Sequence, residues 1–405
     1  MGCLLPIDST QSVSALCQST RKHSLVPFRE LLAKLNDSSV VPPVTCVIAD
    51  GVMAFTLEAA LEINVPYVMF WTFGACGFLS LKLCADLTDR GITPFKDSSY
   101  QTDESLEALV DWVPGLENFR FKHLASFNQT TCPNDYMLPF VKGEIEAISK
   151  ASAVILYTFD ALERDLLDTL SPLFPPIYAI GLFNRFVNQI SAKTTVSCMD
   201  FSLWRADDEC MEWLSSKEQN SVIYVNFGSI AVLTPSQIQE LALGLAESKK
   251  NFLWILRPDL IKGNSGIMPP GFTAETKDRG LILSWCQQEK VLNHPSIGGF
   301  LTHCGELGRE GITAGVPFLC LPQATDQPAN CRSICSEWGI GLEISKNFKK
   351  EEVGAVVREL LDGENGREMK KRAMDWKKQA AEATASPHGS SFVSLERLVK
   401  QVLLE

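Results

Sequence analysis

The amino-acid sequence predicts an α/β fold with two domains, each a doubly wound parallel sheet. From about residue 44 onward, short apolar and β-branched runs alternate with longer amphipathic stretches, which is the pattern of βα units around a parallel sheet. The alternation stops between about residues 183 and 208 and starts again at residue 222. A chain of 405 residues is long enough for two such domains.

Eight continuous apolar runs are the candidate strands, because strands covered by helices on both faces lack polar alternation. They are residues 44–49, 67–70, 153–157, 222–227, 252–256, 281–283, 299–302 and 318–321. The longest uncharged stretch, residues 63–81, has about the length of a membrane span. Its Pro66, Gly74 and Gly77 and its strand-like beginning favour a buried strand followed by a buried helix instead.

The helix signals are strongest at residues 233–250. Thr234 is a preferred N-cap residue, Pro235 fits the first helical position, and Gln237 completes a capping box. Near the C-terminus, Pro387 and Gly389 separate two further helical stretches.

These elements divide the chain into four segments. We expect a first domain over residues 1–190, a linker over 191–215, a second domain over 216–385, and a C-terminal helix over 386–405 that packs back on the first domain. The linker is placed where the sequence loses a clear period, just before the second series of βα units begins.

Composition and charge narrow the class of protein. The chain has 37 Lys and Arg against 48 Asp and Glu, and its net charge of −11 argues against a nucleic-acid partner. The 13 cysteines include no C-x-x-C pair, so their scattered spacing argues against a disulfide framework or a cysteine-rich zinc site. The start MGCLLPIDST shows no targeting signal, and we expect a cytoplasmic protein with reduced thiols and no membrane span.

The stretch from residue 285 to residue 327 contains the candidate functional site. A predicted buried strand ends there in His303-Cys304-Gly305 and opens a helix, so backbone N–H groups and a helix N-terminus face the carboxyl end of the sheet. This arrangement is typical of an anion site. The G-x-x-G-x-x-G spacing that begins at Gly305 matches neither the dinucleotide motif nor a P-loop. An oxidoreductase on the same layout is therefore disfavoured.

This stretch, WCQQEKVLNHPSIGGFLTHCGELGREGITAGVPFLCLPQATDQ, closely resembles the plant secondary-product glycosyltransferase signature, which binds the UDP-sugar donor in plant family 1 UDP-glycosyltransferases. VTCVIADGVMAFTLEAA and VDWVPGLENFRFKHL resemble the same family. The resemblance covers nearly all of the chain and is nearest to the cyanohydrin or 7-deoxyloganetin glucosyltransferase subfamily. It implies a GT-B fold, in which the first of two Rossmann-like domains mainly binds the acceptor and the second binds the donor.

The resemblance also implies roles for individual residues in donor binding. Trp285 would stack on the uracil, while Gln288 and Glu310 would hydrogen-bond the ribose hydroxyls. The positions that would surround the diphosphate and the sugar are His303, Gly305, Ser229, Asp326, Gln327 and Thr72. Of these, the first three would lie at the diphosphate, the next two would hold the sugar hydroxyls, and the last would contribute from the first domain.

The implied activity is an inverting transfer of glucose from UDP-glucose, a co-substrate, to a hydroxyl of a small lipophilic plant metabolite. The family needs no metal ion, and a monomer is the default. Its general base is a histidine oriented by an aspartate, which Asp50 in VIADG matches. The histidine belongs to an earlier loop that has no counterpart here, so we expect about 70 residues of the family pattern, including the first βα unit, to be missing. His23 is interpreted as a surface residue.

The donor segment also departs from the family pattern H-C-G-W-N-S. It is one residue shorter before Glu310, which would rotate the following residues by about 100° on a helix. Glu306 would place a carboxylate at the helix start, where two unit charges about 5 Å apart repel by roughly 3 kcal/mol. Arg309 would offset part of this repulsion if it turned toward the phosphates.

These departures leave two alternatives to an active transferase open. The chain could be an inactive remnant or binding protein that keeps a pocket without transferring sugar. Alternatively, Met1 is a mis-chosen start, and an upstream segment supplies the histidine.

Overall fold

The structure, a computed structural model, describes residues 12–97, 103–110, 112–113, 118–191, 209–229, 231–257, 268–305 and 308–404. Its framework consists of two parallel β-sheets, one in each half of the chain. Helices follow most strands and cover the sheets, as the alternating sequence pattern predicts.

The first sheet has four strands in the order β1-β2-β3-β4, all paired in parallel. The strands are β1 (Val47–Asp50), β2 (Tyr67–Trp71), β3 (Ala153–Leu156) and β4 (Ile177–Ala179). The helices described in this half are α1 (Val13–His23), α2 (Leu25–Asn36), α3 (Phe55–Glu62), α4 (Ala75–Asp89), α5 (Asp103–Leu106), α6 (Met137–Ala147), α7 (Asp160–Leu170) and α8 (Phe183–Ser191).

The second sheet has six parallel strands in the order β10-β9-β8-β5-β6-β7. The strands are β5 (Val222–Asn226), β6 (Asn251–Ile255), β7 (Gly280–Leu283), β8 (Ile297–Thr302), β9 (Phe318–Cys320) and β10 (Gly341–Glu343). The helices described in this half are α9 (Glu209–Ser215), α10 (Pro235–Ser248), α11 (Phe272–Thr276), α12 (Gln288–Leu292), α13 (Gly308–Ala314), α14 (Gln327–Arg332), α15 (Lys350–Asp362), α16 (Glu364–Ala383) and α17 (Ser390–Leu398). Single π-helical turns follow α14 and α17, at Ser333–Glu337 and Val399–Leu403.

The strand order of the second sheet reverses between β5 and β8. The chain builds outward from β5 through β6 to β7, then returns to β8 beside β5 and builds outward the other way. In open α/β sheets, such a reversal opens a crevice at the carboxyl ends of the two strands, where ligands bind. Here those ends are Asn226 and Thr302.

Each of the eight predicted strand regions overlaps an observed strand, and the predicted capping box is present on α10. Thr234 Oγ1 accepts a bond from the Gln237 amide at 3.2 Å, and Gln237 Oε1 accepts one from the Thr234 amide at 3.0 Å. The uncharged stretch is a buried strand and helix, β2 and α4, as predicted. The prediction missed β4 and β10, which are three residues long and lie at sheet edges.

The described residues of the expected linker, 209–215, form helix α9. Cys210 and Leu214 of this helix are buried in the core of the second domain, so the packing of that domain begins before residue 216. The expected linker otherwise falls on residues 192–208, which lie outside the described residues.

The C-terminal helix packs on the first sheet. Leu398 and Val402 are buried in one cluster with Val68 and Ile155, whereas the preceding helix α16 contributes Ala373 and Ala380 to the core of the second domain. The last turn of the chain therefore ties the two domains together.

Strand β1 is an edge of the first sheet among the described strands, and its Ile48 is 48% exposed. Within the described ranges, no helix combines the length and the hydropathy that a membrane crossing requires.

Candidate functional site

The candidate site lies at the carboxyl ends of β5 and β8, where the strand order of the second sheet reverses. Gly228 follows β5 with a φ of +67°, a conformation that favours glycine. A Cβ atom at this position would lie 3.0 Å from His303 Cε1, so a side chain here would press on the histidine ring. Ser229 is exposed beside this turn. The structure thus places Gly228, the residue before Ser229, against the His303 ring.

His303 is held in an environment that disfavours its charged form. Burial and the nearby positive charge of Arg257 lower the pKa of His303 to about 4, so the ring is neutral at pH 7. Its Nδ1 is buried without a hydrogen-bond partner among the described residues. Arg257 itself donates to the carbonyl oxygens of Ser229 and Ala231, which fixes the loop after β5. His303 can therefore serve an anion as a neutral hydrogen-bond donor.

Gln288 and Glu310, the two predicted ribose ligands, are hydrogen-bonded to each other. Gln288 Nε2 donates to Glu310 Oε2 at 3.0 Å, and Gln288 Oε1 accepts from Asn226 Nδ2 at 2.8 Å and from the Tyr224 hydroxyl at 3.1 Å. Burial raises the pKa of Glu310 to about 7. The shorter donor segment therefore does not keep Glu310 away from Gln288.

Sequence reasoning missed the second layer of this network. Tyr224 and Asn226 belong to β5, whose continuous apolar run indicates only core packing, yet both hold Gln288 in place. Trp285 lies between β7 and α12, partly exposed and three positions before Gln288.

The structure describes Gly305 of the donor segment but not the residue that follows it. Gly305 follows His303 directly, and a Cβ atom on Gly305 would collide with the His303 ring, so the close approach requires glycine. Glu306, whose carboxylate was expected to repel a diphosphate, lies outside the described residues together with Leu307.

Asp326 and Gln327, the predicted sugar ligands, are already engaged in hydrogen bonds. Burial raises the pKa of Asp326, whose oxygens accept bonds from Thr325 Oγ1 at 2.9 Å and Asn330 Nδ2 at 2.6 Å. Gln327 Oε1 accepts from the amides of residues 323 and 324 at 2.8 and 2.9 Å. Asn330 also donates to the Cys304 carbonyl at 3.0 Å, which links this loop to the end of β8.

The first domain packs against the loop that contains Thr325 and Asp326. A Cβ atom on Gly77, in the first turn of α4, would lie 3.1 Å from Asp326 Oδ2. Ser126 and Thr325 exchange two hydrogen bonds, at 3.0 and 2.9 Å, between the domains. Thr72 lies in the loop between β2 and α4, in the segment that leads to Gly77.

Arg309 does not turn toward the phosphate position at the start of α13, because its side chain is paired with an acidic residue of the first domain. Its guanidinium lies 3.6 Å from the Glu163 carboxylate of the first domain, and both side chains are almost fully buried. Glu163 in turn accepts hydrogen bonds from the amides of Ala75 and Cys76 at 3.0 and 2.9 Å, which caps the N-terminus of α4. Gly74 packs directly against the guanidinium. Arg309 therefore joins the two domains, a role that no local pattern in the sequence indicated.

Asp50, the predicted orienting acid, lies at the end of β1, remote in sequence from the donor segment. It accepts a hydrogen bond from the Val52 amide at 2.9 Å, and burial raises the pKa of its carboxyl group. His23 is exposed, and no histidine donates to Asp50 within the described ranges.

Comparisons with known proteins agree with the resemblance. Residues 172–378 match the family described as UDP-glucoronosyl and UDP-glucosyl transferase. A 7-deoxyloganetin glucosyltransferase from Catharanthus roseus is 51% identical over 97% of this chain and 81% of its own length. An (R)-mandelonitrile beta-glucosyltransferase from Prunus dulcis is 47% identical over 98% of this chain and 82% of its own length.

Solved structures extend the comparison to the fold. UGT2 of Phytolacca americana, solved with UDP-2-fluoro-glucose and pterostilbene, is 26% identical with a TM-score of 0.78, and the match covers 98% of this chain and 83% of that one. A UDP-glucose:anthocyanidin 3-O-glucosyltransferase in complex with UDP matches in fold with a TM-score of 0.80, over 99% of this chain and 84% of that one. The predicted GT-B fold, with two Rossmann-like domains, is confirmed.

Proposed function

The chain belongs to the UDP-glucoronosyl and UDP-glucosyl transferase family, and on that basis we propose that it transfers glucose from UDP-glucose to a hydroxyl of a small lipophilic plant metabolite. UDP-glucose is the co-substrate, and the transfer itself requires no metal ion. The protein acts as a monomer in the cytoplasm.

The hydrogen bond between Gln288 and Glu310 is the observation that supports donor binding most directly. An amide and a carboxyl group held 3.0 Å apart can exchange their mutual bond for bonds to two neighbouring hydroxyls of a ribose. Trp285, three positions earlier in the chain, is the aromatic face on which the uracil stacks.

The diphosphate of the donor then lies between the carboxyl ends of β5 and β8. His303 donates from a neutral ring, and the backbone at Gly305 and the Ser229 hydroxyl add donors without a side-chain charge. The buried, unpartnered Nδ1 of His303 is a group whose hydrogen-bonding capacity a ligand can satisfy. Asp326, Gln327 and Thr72 contact the sugar hydroxyls.

In the transfer step, the acceptor oxygen attacks the anomeric carbon, the bond to the diphosphate breaks and UDP leaves with inversion. A base takes the hydroxyl proton as the new bond forms. Asp50 matches the carboxylate that orients the family's histidine base, and within the described ranges no histidine donates to it. An inactive remnant is the weaker alternative, because relatives at 47% and 51% identity are named glucosyltransferases.

A calorimetric titration of the purified chain with UDP tests the donor site without knowledge of the acceptor. We expect micromolar affinity, and a decrease of at least tenfold for Trp285→Ala. Trp112→Ala, which removes an exposed tryptophan of the first domain, is the matched control and should leave UDP affinity unchanged. A folded chain that does not bind UDP at millimolar concentration would overturn the proposal.

A transfer assay then tests the activity itself. UDP-glucose is supplied with (R)-mandelonitrile or 7-deoxyloganetin, the acceptors in the names of two relatives, and the glucoside is measured by mass spectrometry. Glucoside formation that is reduced strongly by Asp50→Asn supports the proposed chemistry. UDP binding without any transfer across a broad panel of hydroxylated acceptors would favour the binding-protein alternative.

A further inference from the structure

Beneath the His303–Gly305 turn, the fold assembles cysteines that are far apart in the sequence. Cys304 follows β8, Cys320 ends β9, Cys331 lies on α14, and Cys335 lies on the π-helical turn after it. The sulfur atoms of Cys304, Cys320 and Cys331 all lie within 4.8 Å of one another, and all three residues are buried. We refer to these four residues as the thiol cluster.

The geometry of the thiol cluster suits a small thiophilic ion. Three atoms within 4.8 Å of one another have a common point no more than about 2.8 Å from each. A zinc–thiolate bond is about 2.3 Å long, so side-chain shifts of about 0.5 Å bring all three sulfur atoms to bonding distance. Such shifts are within the range of ordinary rotamer adjustment.

Cys335 supplies the fourth thiol and marks the side from which an ion can reach the thiol cluster. Its thiol group contacts those of Cys320 and Cys331, and unlike the other three residues it is partly exposed. It lies on a π-helical turn, a local irregularity frequent at functional sites. Gly341 of β10 also lies beside Cys320, since a Cβ atom there would lie 3.3 Å from the sulfur.

Simple apolar packing does not explain this convergence. Cys84 in α4, by comparison, is a buried member of the hydrophobic core of the first domain. In the thiol cluster, by contrast, Cys304, Cys320 and Cys331 are mutual neighbours, and Cys335 lies beside Cys320 and Cys331.

We propose that the thiol cluster binds one zinc ion, with Cys304, Cys320, Cys331 and Cys335 as ligands in a closed structural site. Binding deprotonates the coordinating thiols and releases their protons to the solvent, with no change of oxidation state. The ion clamps the ends of β8 and β9 to α14, directly beneath the donor site. This role goes beyond glucosyl transfer and is separate from its chemistry.

The test is zinc binding by the full chain, in a Cys132→Ser background that removes an exposed cysteine, under a phosphine reductant. We expect one zinc per chain by elemental analysis after dialysis, proton release on binding, and a rise of several degrees in Tm. Co²⁺ in place of zinc should give the absorption of a tetrahedral thiolate site. Cys331→Ala should lower zinc affinity at least tenfold, whereas Cys84→Ala, a matched buried control, should not.

Equal zinc affinity in Cys331→Ala and Cys84→Ala, or zinc that dissociates on dialysis from the folded parent chain, would overturn the proposal. Because Cys331→Ala removes a buried side chain, Cys335→Ala serves as a second variant at the partly exposed edge. A folded Cys335→Ala chain, verified by circular dichroism, should also lose affinity and the tetrahedral cobalt spectrum. If it retains both, Cys335 is not a ligand and the four-thiol site is wrong.

Discussion

The Glu310 carboxyl group changes its charge near neutral pH, since burial raises its pKa to about 7. Ribose hydroxyls donate to the ionised form, so ligand binding below pH 7 requires loss of a proton. The affinity for uridine, which carries no titrating phosphate, should therefore rise by up to about tenfold per pH unit below pH 7 and level off above it. Isothermal titration calorimetry across this range measures the profile.

Two variants test this assignment. Glu310→Gln should bind uridine with no pH dependence in the same range. Glu289→Gln removes a neighbouring negative charge that also raises the Glu310 pKa, so the profile should keep its shape and shift to slightly lower pH. A Glu310→Gln profile identical to that of the parent chain would assign the titration to another group.

At the level of single elements, the N-cap of α10 isolates one local contribution to stability. Thr234→Ala removes the hydroxyl that accepts the Gln237 amide and should lower the free energy of unfolding by about 1 kcal/mol. Thr234→Ser keeps the acceptor and should retain most of that stability. Urea unfolding measures both values, and equal losses in the two variants would contradict the capping assignment.

Helix α4 depends on a contact from the other domain. Its N-terminal amides are capped by Glu163, which is paired with Arg309, and Gly74 lies against the guanidinium. A methyl group in Gly74→Ala would displace Arg309 and leave buried charges without close partners. We expect a loss of about 3 kcal/mol in the free energy of unfolding, with weaker UDP binding because the domains no longer close over the donor loop.

Gly143→Ala is the matched control for this substitution. Its added Cβ atom would meet only the Arg21 side chain, at 3.7 Å, and alanine is favoured over glycine in a helix. It should be neutral or stabilise the chain by up to about 1 kcal/mol. Denaturant unfolding with and without UDP compares the two variants, and a Gly74→Ala chain as stable as Gly143→Ala would refute the role of the Arg309 contact.

For the whole molecule, the sequence predicts most of the fold because parallel strands buried on both faces are continuous apolar runs. β4 and β10 are not predicted from such runs because each spans only three residues at a sheet edge. In the site, Gln288 and Glu310 follow from family resemblance, while the pairing of Arg309 with Glu163 and the convergence of the thiol cluster depend on tertiary contacts between distant segments. No local pattern encodes such contacts.

The C-terminal helix couples the stability of the two domains. Leu398 is 2% exposed against the first sheet, whereas α16, just before it in the chain, packs in the core of the second domain. Leu398→Ala should remove about 3 kcal/mol of packing free energy from the first domain alone. Calorimetry should then show two unfolding transitions in place of one, and UDP should raise the temperature of only the later transition because the donor site lies in the second domain.

The control for this substitution is Leu404→Ala, at a position 76% exposed, which should keep a single transition that UDP shifts as a whole. If Leu398→Ala also unfolds in one UDP-sensitive step, the contact between the domains around Arg309 and Ser126 is sufficient to couple them without this helix.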